Sequence, residues 1–452
     1  MSSPRSRRRC VREPTRRDIV RVALLTAVAL AGCGQRDGAQ ADVSNGSAAP
    51  PLAAGSWRGV LALPGGELPF GLEIEVQGGT TRAVLVNGSE RTRVDEVTID
   101  GSTLTMRMPG FENTLTATIA GDTLRGEVLM VKLGAKNQRI PFTAQHGQTW
   151  RFARDAEAAS PAATAAADFS GRWAVEFGEG DKRTRGVGEF TQQGSRVTGT
   201  FLTATGDHRF LQGDVVDGEL LLSKFDGGHA FLYRARLAAD GSLDGRWWSG
   251  LTFSEPFTAR RDPDANLGDA ENVTQMRDAA TALDIRFPDL DGNMVSLRDA
   301  RFAGKVIVIA LAGSWCPNCH DEAAFLAPFH RQNRERGLEV VSLMFEQFGD
   351  FPQAAAATRR FRERYGIEYT TLIAGTSDKD DAATKLPQLN GVFAFPTTIF
   401  IDRAGKVRRI HTGFSGPATG EHHRKLLEEF ESTVEQLLAE TPDPTATRAA
   451  ES

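Results

Sequence analysis

A chain of 452 residues, 40% hydrophobic and 25% charged, has the length for two to four domains, each with its own core, and a composition that excludes a disordered or fibrous protein. Its net charge of −5 conceals a split: eight arginines against Glu13 and Asp18 make residues 1–32 net +6, which leaves −11 for residues 33–452. So acidic a body excludes nucleic acid as a partner. The four cysteines are Cys10, Cys33, Cys316 and Cys319. With the first of them in the leader, they do not make a structural disulfide framework.

Residues 1–32 read as a signal peptide: an Arg-rich start, an apolar run from Ile19 to Ala31 too short to span a bilayer, and a small-residue ending. Leu30-Ala31-Gly32-Cys33 resembles a bacterial lipobox, which implies lipidation of Cys33 and export to the periplasmic face of the envelope. Thr15-Arg16-Arg17-Asp18-Ile19-Val20 also resembles a twin-arginine signal. Residues 33–54, poor in apolar side chains, read as a tether.

Residues 55–150 and 168–262 read as two copies of one β unit, joined by an Ala-rich linker at 151–167. Gly55-Ser56-Trp57 matches Gly171-Arg172-Trp173. Pro141-Phe142-Thr143-Ala144 matches Pro256-Phe257-Thr258-Ala259, and the segment ending at Gly126 matches the one ending at Gly245. Alternating stretches such as Leu72–Val76, Leu104–Met108 and Leu115–Ile119, separated by turns such as Asn87-Gly88 and Asp240-Gly241, predict antiparallel barrels or sandwiches. His146, His208 and His229 stand singly and read as structural. Trp247 and Trp248 could form a binding surface, but a core or rim pair is the preferred reading.

Helical spacing over Asp269–Leu283 predicts a connecting helix within 263–284. Residues 285–440 alternate strands and helices. Phe287–Leu297 reads as a hairpin, Val306–Ala312 as a central strand buried on both faces, Pro317–Gly337 as a helix, and Leu338–Met344 as a second buried strand. Gln353–Tyr365, Tyr369–Ile373, Thr397–Ile401, Val407–Thr412 and Glu421–Leu438 continue the mixed α/β pattern. Residues 441–452 read as a tail.

Trp315-Cys316-Pro317-Asn318-Cys319 after a buried strand, with Phe395-Pro396-Thr397-Thr398 before a later one, resembles the thioredoxin fold. The preceding hairpin and Thr397–Gly405 are more similar to its TlpA/ResA branch of exported thiol–disulfide oxidoreductases. The resemblance implies a redox pair at Cys316 and Cys319, flanked by Trp315, and a cis-proline at Pro396. The chemistry suits the pattern. Disulfide exchange needs a thiolate, and the open N–H groups and dipole at a helix N-terminus favour that anion. Cys316, at the strand-to-helix turn, is the expected attacking thiol, and Cys319, one turn further in, the resolving one. Thioredoxins place an acid six residues before the attacking cysteine. Here that position is Ala310, so Glu346 and Glu322 become the candidate proton acceptors, each against the alternative of a solvated surface carboxylate.

Three rival readings remain. Cys316-Pro-Asn-Cys319-His320 is also a c-type haem attachment pattern, which a purified chain without Soret absorbance would remove; His320 is otherwise a helix-surface residue. A peroxiredoxin-like thiol peroxidase would need a Thr at Gly313 and a Pro at Ile309. A scaffold or adhesin acting through the β units would work without Cys316. The leading reading is a lipid-anchored protein-disulfide reductase with no cofactor and no metal. Its partners are a substrate protein carrying a disulfide and, since the chain has no second dithiol, a membrane electron donor that recharges the first.

Overall fold

The computed structural model describes residues 51–94, 96–108, 110–154 and 167–441. The leader, Cys33, most of the tether and the tail lie outside them. The described residues belong to one compact unit, and no helix among them is long and apolar enough to cross a membrane.

Two nine-stranded antiparallel sheets come first. One runs from Gly55–Leu63 to Gln138–His146, the other from Gly171–Phe177 to Phe253–Arg261. The second closes into a barrel, because Thr184–Gln193 pairs with Gly171–Phe177 on one side and Arg196–Thr203 on the other. The repeated sequence falls in the same register in both. Ala144 pairs with Gly59, two residues after Trp57, and Ala259 pairs with Val175, two after Trp173. Gly126 pairs with Phe142 as Gly245 pairs with Phe257. Each tryptophan indole donates to the carbonyl four residues earlier, Ala53 or Phe169.

The two sheets pack on each other. Phe225, Ala230 and Leu232 of the second join the core of the first, with the Phe70 and Phe225 rings 4.9 Å apart. Arg151 bolts the junction: its guanidinium donates to the Pro69 and Val86 carbonyls of the first sheet and to the Ser223 hydroxyl of the second. Expected in a linker, Arg151 is buried instead, because its guanidinium is shared among oxygens of both sheets. Trp247 lies in the barrel core, stacked on Tyr233 at 5.5 Å, and Trp248 packs against the first sheet's core. The pair packs as core and rim, with Trp247 buried and Trp248 partly buried. His208 and His229 are also enclosed in the second sheet, where burial pushes His208 down to about 3 and His229 well below its usual value.

The expected connecting helix at 263–284 is absent. The segment holds one 3-10 turn, Ala270–Asn272. Its donors go elsewhere: Thr274 N–H to the Thr412 hydroxyl, Gln275 N–H to Asn390, while the Asp269 and Asp278 carboxylates fold back on N–H groups two residues on. Asp side chains that compete in this way disfavour a helix.

The C-terminal domain then follows a hairpin, Arg286–Pro288 with Met294–Ser296. Its five strands are β1 Val306–Ala312, β2 Leu338–Glu346, β3 Thr370–Thr376, β4 Thr397–Ile401 and β5 Val407–Thr412, in the order β3-β2-β1-β4-β5. β1 is parallel to β2 and antiparallel to β4. All seven residues of β1 are buried, as a central strand covered on both faces requires. The helices are α1 Pro317–Asn333, α2 Phe351–Tyr365, α3 Lys379–Lys385 and α4 Glu421–Ala439. The short α3 has no counterpart in the sequence reading; Asp378 caps it by accepting from the N–H groups of Asp380 and Asp381.

Candidate active site

β1 ends at Ala312, and the turn Gly313-Ser314-Trp315 hands the chain to α1. Cys316 caps that helix in an extended conformation, with Pro317 in the first turn, where a missing N–H leaves no bond unmade. The Cys316 Sγ accepts the N–H of Cys319 at 3.4 Å and lies 3.3 Å from the Phe395 carbonyl oxygen, to which its thiol donates. The Phe395–Pro396 peptide bond is cis. Trp315 donates its indole N–H to the Phe345 carbonyl at 2.8 Å and meets the Phe395 ring edge-on. Cys316, Cys319, Trp315 and Pro396 are thus gathered at one end of the sheet, from two segments some 80 residues apart in the sequence.

The two thiols differ in setting. Cys316 is 5% exposed and Cys319 1%. Burial, then the neighbouring Cys316 and Glu322 charges, push the Cys319 thiol well above its usual value. It keeps its proton until a base removes it.

Both candidate acids are buried, so neither is a solvated surface carboxylate. Glu322, one turn after Cys319, accepts the Thr398 hydroxyl at 2.5 Å. Thr398 is the cross-strand partner of Ala310, and side chains so paired share a face of the sheet. An acid from α1 therefore reaches the side of the sheet that Ala310 leaves vacant. Glu346, at the end of β2, serves a different group: it accepts from the Ser314 N–H and hydroxyl at 3.0 and 2.7 Å and from the Thr358 hydroxyl at 3.2 Å. Burial raises each carboxyl to about 7, against the pull of these hydrogen bonds.

His320 is not on the helix surface. It is buried, stacked on Phe111 of the first sheet at 4.2 Å. Its Nε2 lies 2.7 Å from the Ser314 carbonyl and its Nδ1 2.7 Å from the Tyr365 hydroxyl. A carbonyl only accepts, so Nε2 carries the hydrogen and Nδ1 accepts from Tyr365. Burial lowers the ring to about 3, which keeps it neutral.

Several neighbours of the motif carried no local signal. Asp207 and Arg209 of the second sheet and Phe111 of the first reach Asn318, Pro317 and His320 from more than 100 residues away. No periodicity or spacing could announce them. Among the described residues, no group of three or more His, Cys, Asp or Glu side chains is placed to hold a metal ion.

Residues 277–424 match the Redoxin family model. The thiol-disulfide oxidoreductase ResA of Bacillus thuringiensis subsp. konkukian is 26% identical over 142 residues, covering 31% of this chain and 69% of that protein. ResA of Halalkalibacterium halodurans is 25% identical over 132 residues, 29% of this chain and 66% of that one. Among solved structures, a putative thiol:disulfide interchange protein DsbE from Chlorobium tepidum is 20% identical, with 36% of this chain and 100% of that chain covered and a TM-score of 0.28. With the strand order, the cysteine pair at the start of α1 and the redoxin match on the same stretch of sequence, the C-terminal domain of this chain is that of a thioredoxin-fold thiol–disulfide oxidoreductase.

Proposed function

We propose that the chain is an exported lipoprotein, anchored through Cys33, that reduces protein disulfides with Cys316 and Cys319. The observation that carries this reading is the position of Cys316: it caps α1, takes the Cys319 N–H on its sulfur, and lies beside the Phe395-Pro396 backbone. The Cys316 thiolate attacks a substrate disulfide. One S–S bond forms to Cys316, the substrate's own breaks, and a substrate thiolate leaves. Cys319 then loses its proton to Glu322 and attacks the Cys316 sulfur, which releases the second substrate thiolate. Two electrons pass to the substrate and a Cys316–Cys319 disulfide remains. An external dithiol donor, such as a membrane reductase, returns the pair to its starting state. Glu322 is assigned the proton because it is the acid whose charge bears on Cys319; Glu346 holds the turn before Trp315.

The rival chemistries meet specific obstacles. A peroxidatic Thr at position 313 has no room: a Cβ there would sit 2.3 Å from the Trp315 Nε1 and 2.7 Å from the Phe345 carbonyl oxygen. As an iron ligand through Nε2, His320 would have to give up the Ser314 carbonyl and move its hydrogen to Nδ1, reversing the bond with Tyr365.

The test is to incubate Cys319→Ser with a disulfide substrate and look for a trapped mixed disulfide at Cys316, and to measure the reduction potential of the wild-type pair. A stable adduct with a potential near the thioredoxin end, about −270 mV, is expected; a value near −120 mV would reverse the direction to oxidation. Loss of membrane attachment in Cys33→Ser tests the anchor.

A further inference from the structure

The face of the redox turn that follows Cys316 is not open to solvent. Every residue between Cys316 and Asp321 except Cys319 is touched by one of the β sheets. Pro317 donates nothing but accepts, through its carbonyl, the Arg209 guanidinium at 2.8 Å. Asn318 donates to the Asp207 carboxylate at 2.9 Å, and His320 stacks on Phe111. Gly228 is wedged between Phe111 and Pro317, where a Cβ would come within 2.6 and 2.8 Å of the two rings. Pro317, Asn318 and Asp207 are all buried.

A buried charge cluster holds this cover in place. Arg209 binds Glu90 of the first sheet at 2.5 Å, Asp321 of α1 at 2.9 Å and, at 3.6 Å, Asp226 of its own sheet. Burial opposes its charge, but Asp321, Glu90 and Asp226 outweigh it, and the guanidinium is held well above its usual value. Its backbone is left-handed, φ 57°, a conformation that strains a non-glycine residue and persists only where the surroundings impose it. A second ion pair, Arg360 on α2 with Glu112 of the first sheet at 2.5 Å, closes the other side of the Phe111 loop.

The other flank of Cys316 is the Phe393–Pro396 loop, whose Phe395 carbonyl oxygen lies 3.3 Å from the sulfur and whose Phe395 ring meets Trp315 edge-on. Phe393 is 42% exposed, the one large apolar side chain of the Phe393–Pro396 loop left open to solvent. Lys379 of α3 donates to its carbonyl at 2.5 Å.

We propose that the two β sheets are an access filter on the dithiol. They close the Pro317–Asn318 side and leave a narrow entrance that takes a disulfide carried on an extended peptide segment, with an apolar neighbour seated against Phe393, and excludes disulfides embedded in folded protein. This rests on the dithiol reading above, but its test needs no turnover and so fails separately.

The reduced full-length chain is treated with N-ethylmaleimide and with a polyethylene-glycol maleimide of several kilodaltons, and modification is read at the peptide carrying Cys316. The preference for the small reagent should exceed that of glutathione by at least about tenfold. Arg209→Gln should bring it back towards the glutathione value. Arg360→Gln, which cuts only the second ion pair, serves if Arg209→Gln does not fold. In turnover, the wild type should reduce a cystine-linked peptide pair about tenfold faster than insulin, with the gap narrowing in the same variants. A wild-type reagent preference equal to that of glutathione overturns the filter. So does a preference that survives both substitutions, because the cover then lies within the C-terminal domain itself.

Discussion

Thr398 donates its hydroxyl to Glu322 at 2.5 Å, and this bond places a buried acid against the strand pair that contains Ala310. The carboxyl is held at about 7 by burial, so near neutral pH it exchanges a proton at little cost. Glu322→Gln should therefore leave attack by Cys316 intact and slow the resolving step, by about tenfold to a hundredfold. Stopped-flow decay of the mixed disulfide measures this, and an unchanged resolving rate would remove Glu322 from the proton path.

The same group links stability to pH. A carboxyl whose folded value is raised binds its proton more tightly in the folded state, so its contribution is full below the unfolded value near 4.5 and is lost as pH rises towards 7. Burial depresses His208 and His320 to about 3, which acts in the opposite sense: their unfolded forms protonate as pH falls below about 6.5. The bare melting curve mixes both. The difference between wild type and Glu322→Gln isolates the acid, and should change by roughly 3 kcal/mol in favour of the glutamine between pH 5 and pH 8. A flat difference would mean that Glu322 titrates normally.

Lys379 stands beside the redox loop, its ammonium bonded to the Phe393 carbonyl. Burial lowers it, and the Cys316 thiolate opposes that fall. The attraction is mutual, so Lys379→Met should slow iodoacetamide alkylation of Cys316 at neutral pH severalfold, while Lys379→Arg should keep most of the wild-type rate. Identical rates for all three proteins would leave Lys379 with a purely structural bond.

Glu346 is the acceptor for three donors, two of them on Ser314. Glu346→Ala strands a buried backbone N–H, a loss of about 1–3 kcal/mol for each unsatisfied group. Urea unfolding should show a lower midpoint, and the Trp315 emission should change because its turn is released. An unaltered midpoint would show that water replaces the carboxylate.

Arg151→Met should destabilise the fold by removing the donor shared by the Pro69, Val86 and Ser223 oxygens, by about 3 kcal/mol or more. Calorimetry should also show the two sheets melting less cooperatively. A loss below about 1 kcal/mol would mean that the junction is held by its apolar contacts alone.

The C-terminal domain was largely legible because its signals are local. Val306–Ala312 is an unbroken apolar run, and two cysteines and a proline mark the helix that follows. The duplication was legible through Trp57 and Trp173, since a residue that fills the centre of a sheet recurs when the sheet does. Residues 263–284 misled because apolar spacing there answers to docking, not to a helix: Met276 bridges to Leu389 while Asp269 and Asp278 bind neighbouring N–H groups. Burial of Glu322, Glu346 and His320 was beyond local reading, because each is enclosed by a segment distant in the chain.

Arg209 answers acids from two sheets and a helix at once. A gene fragment carrying only residues 285–440 would take Arg209 from Asp321, Asp207 from Asn318 and Phe111 from His320. The reverse transplant, these sheets onto a different redoxin domain, would bury Arg209 against whatever residue replaced Asp321. Losing any acid of the cluster strands charge on another segment, so this protein is poorly suited to recombination by domain exchange.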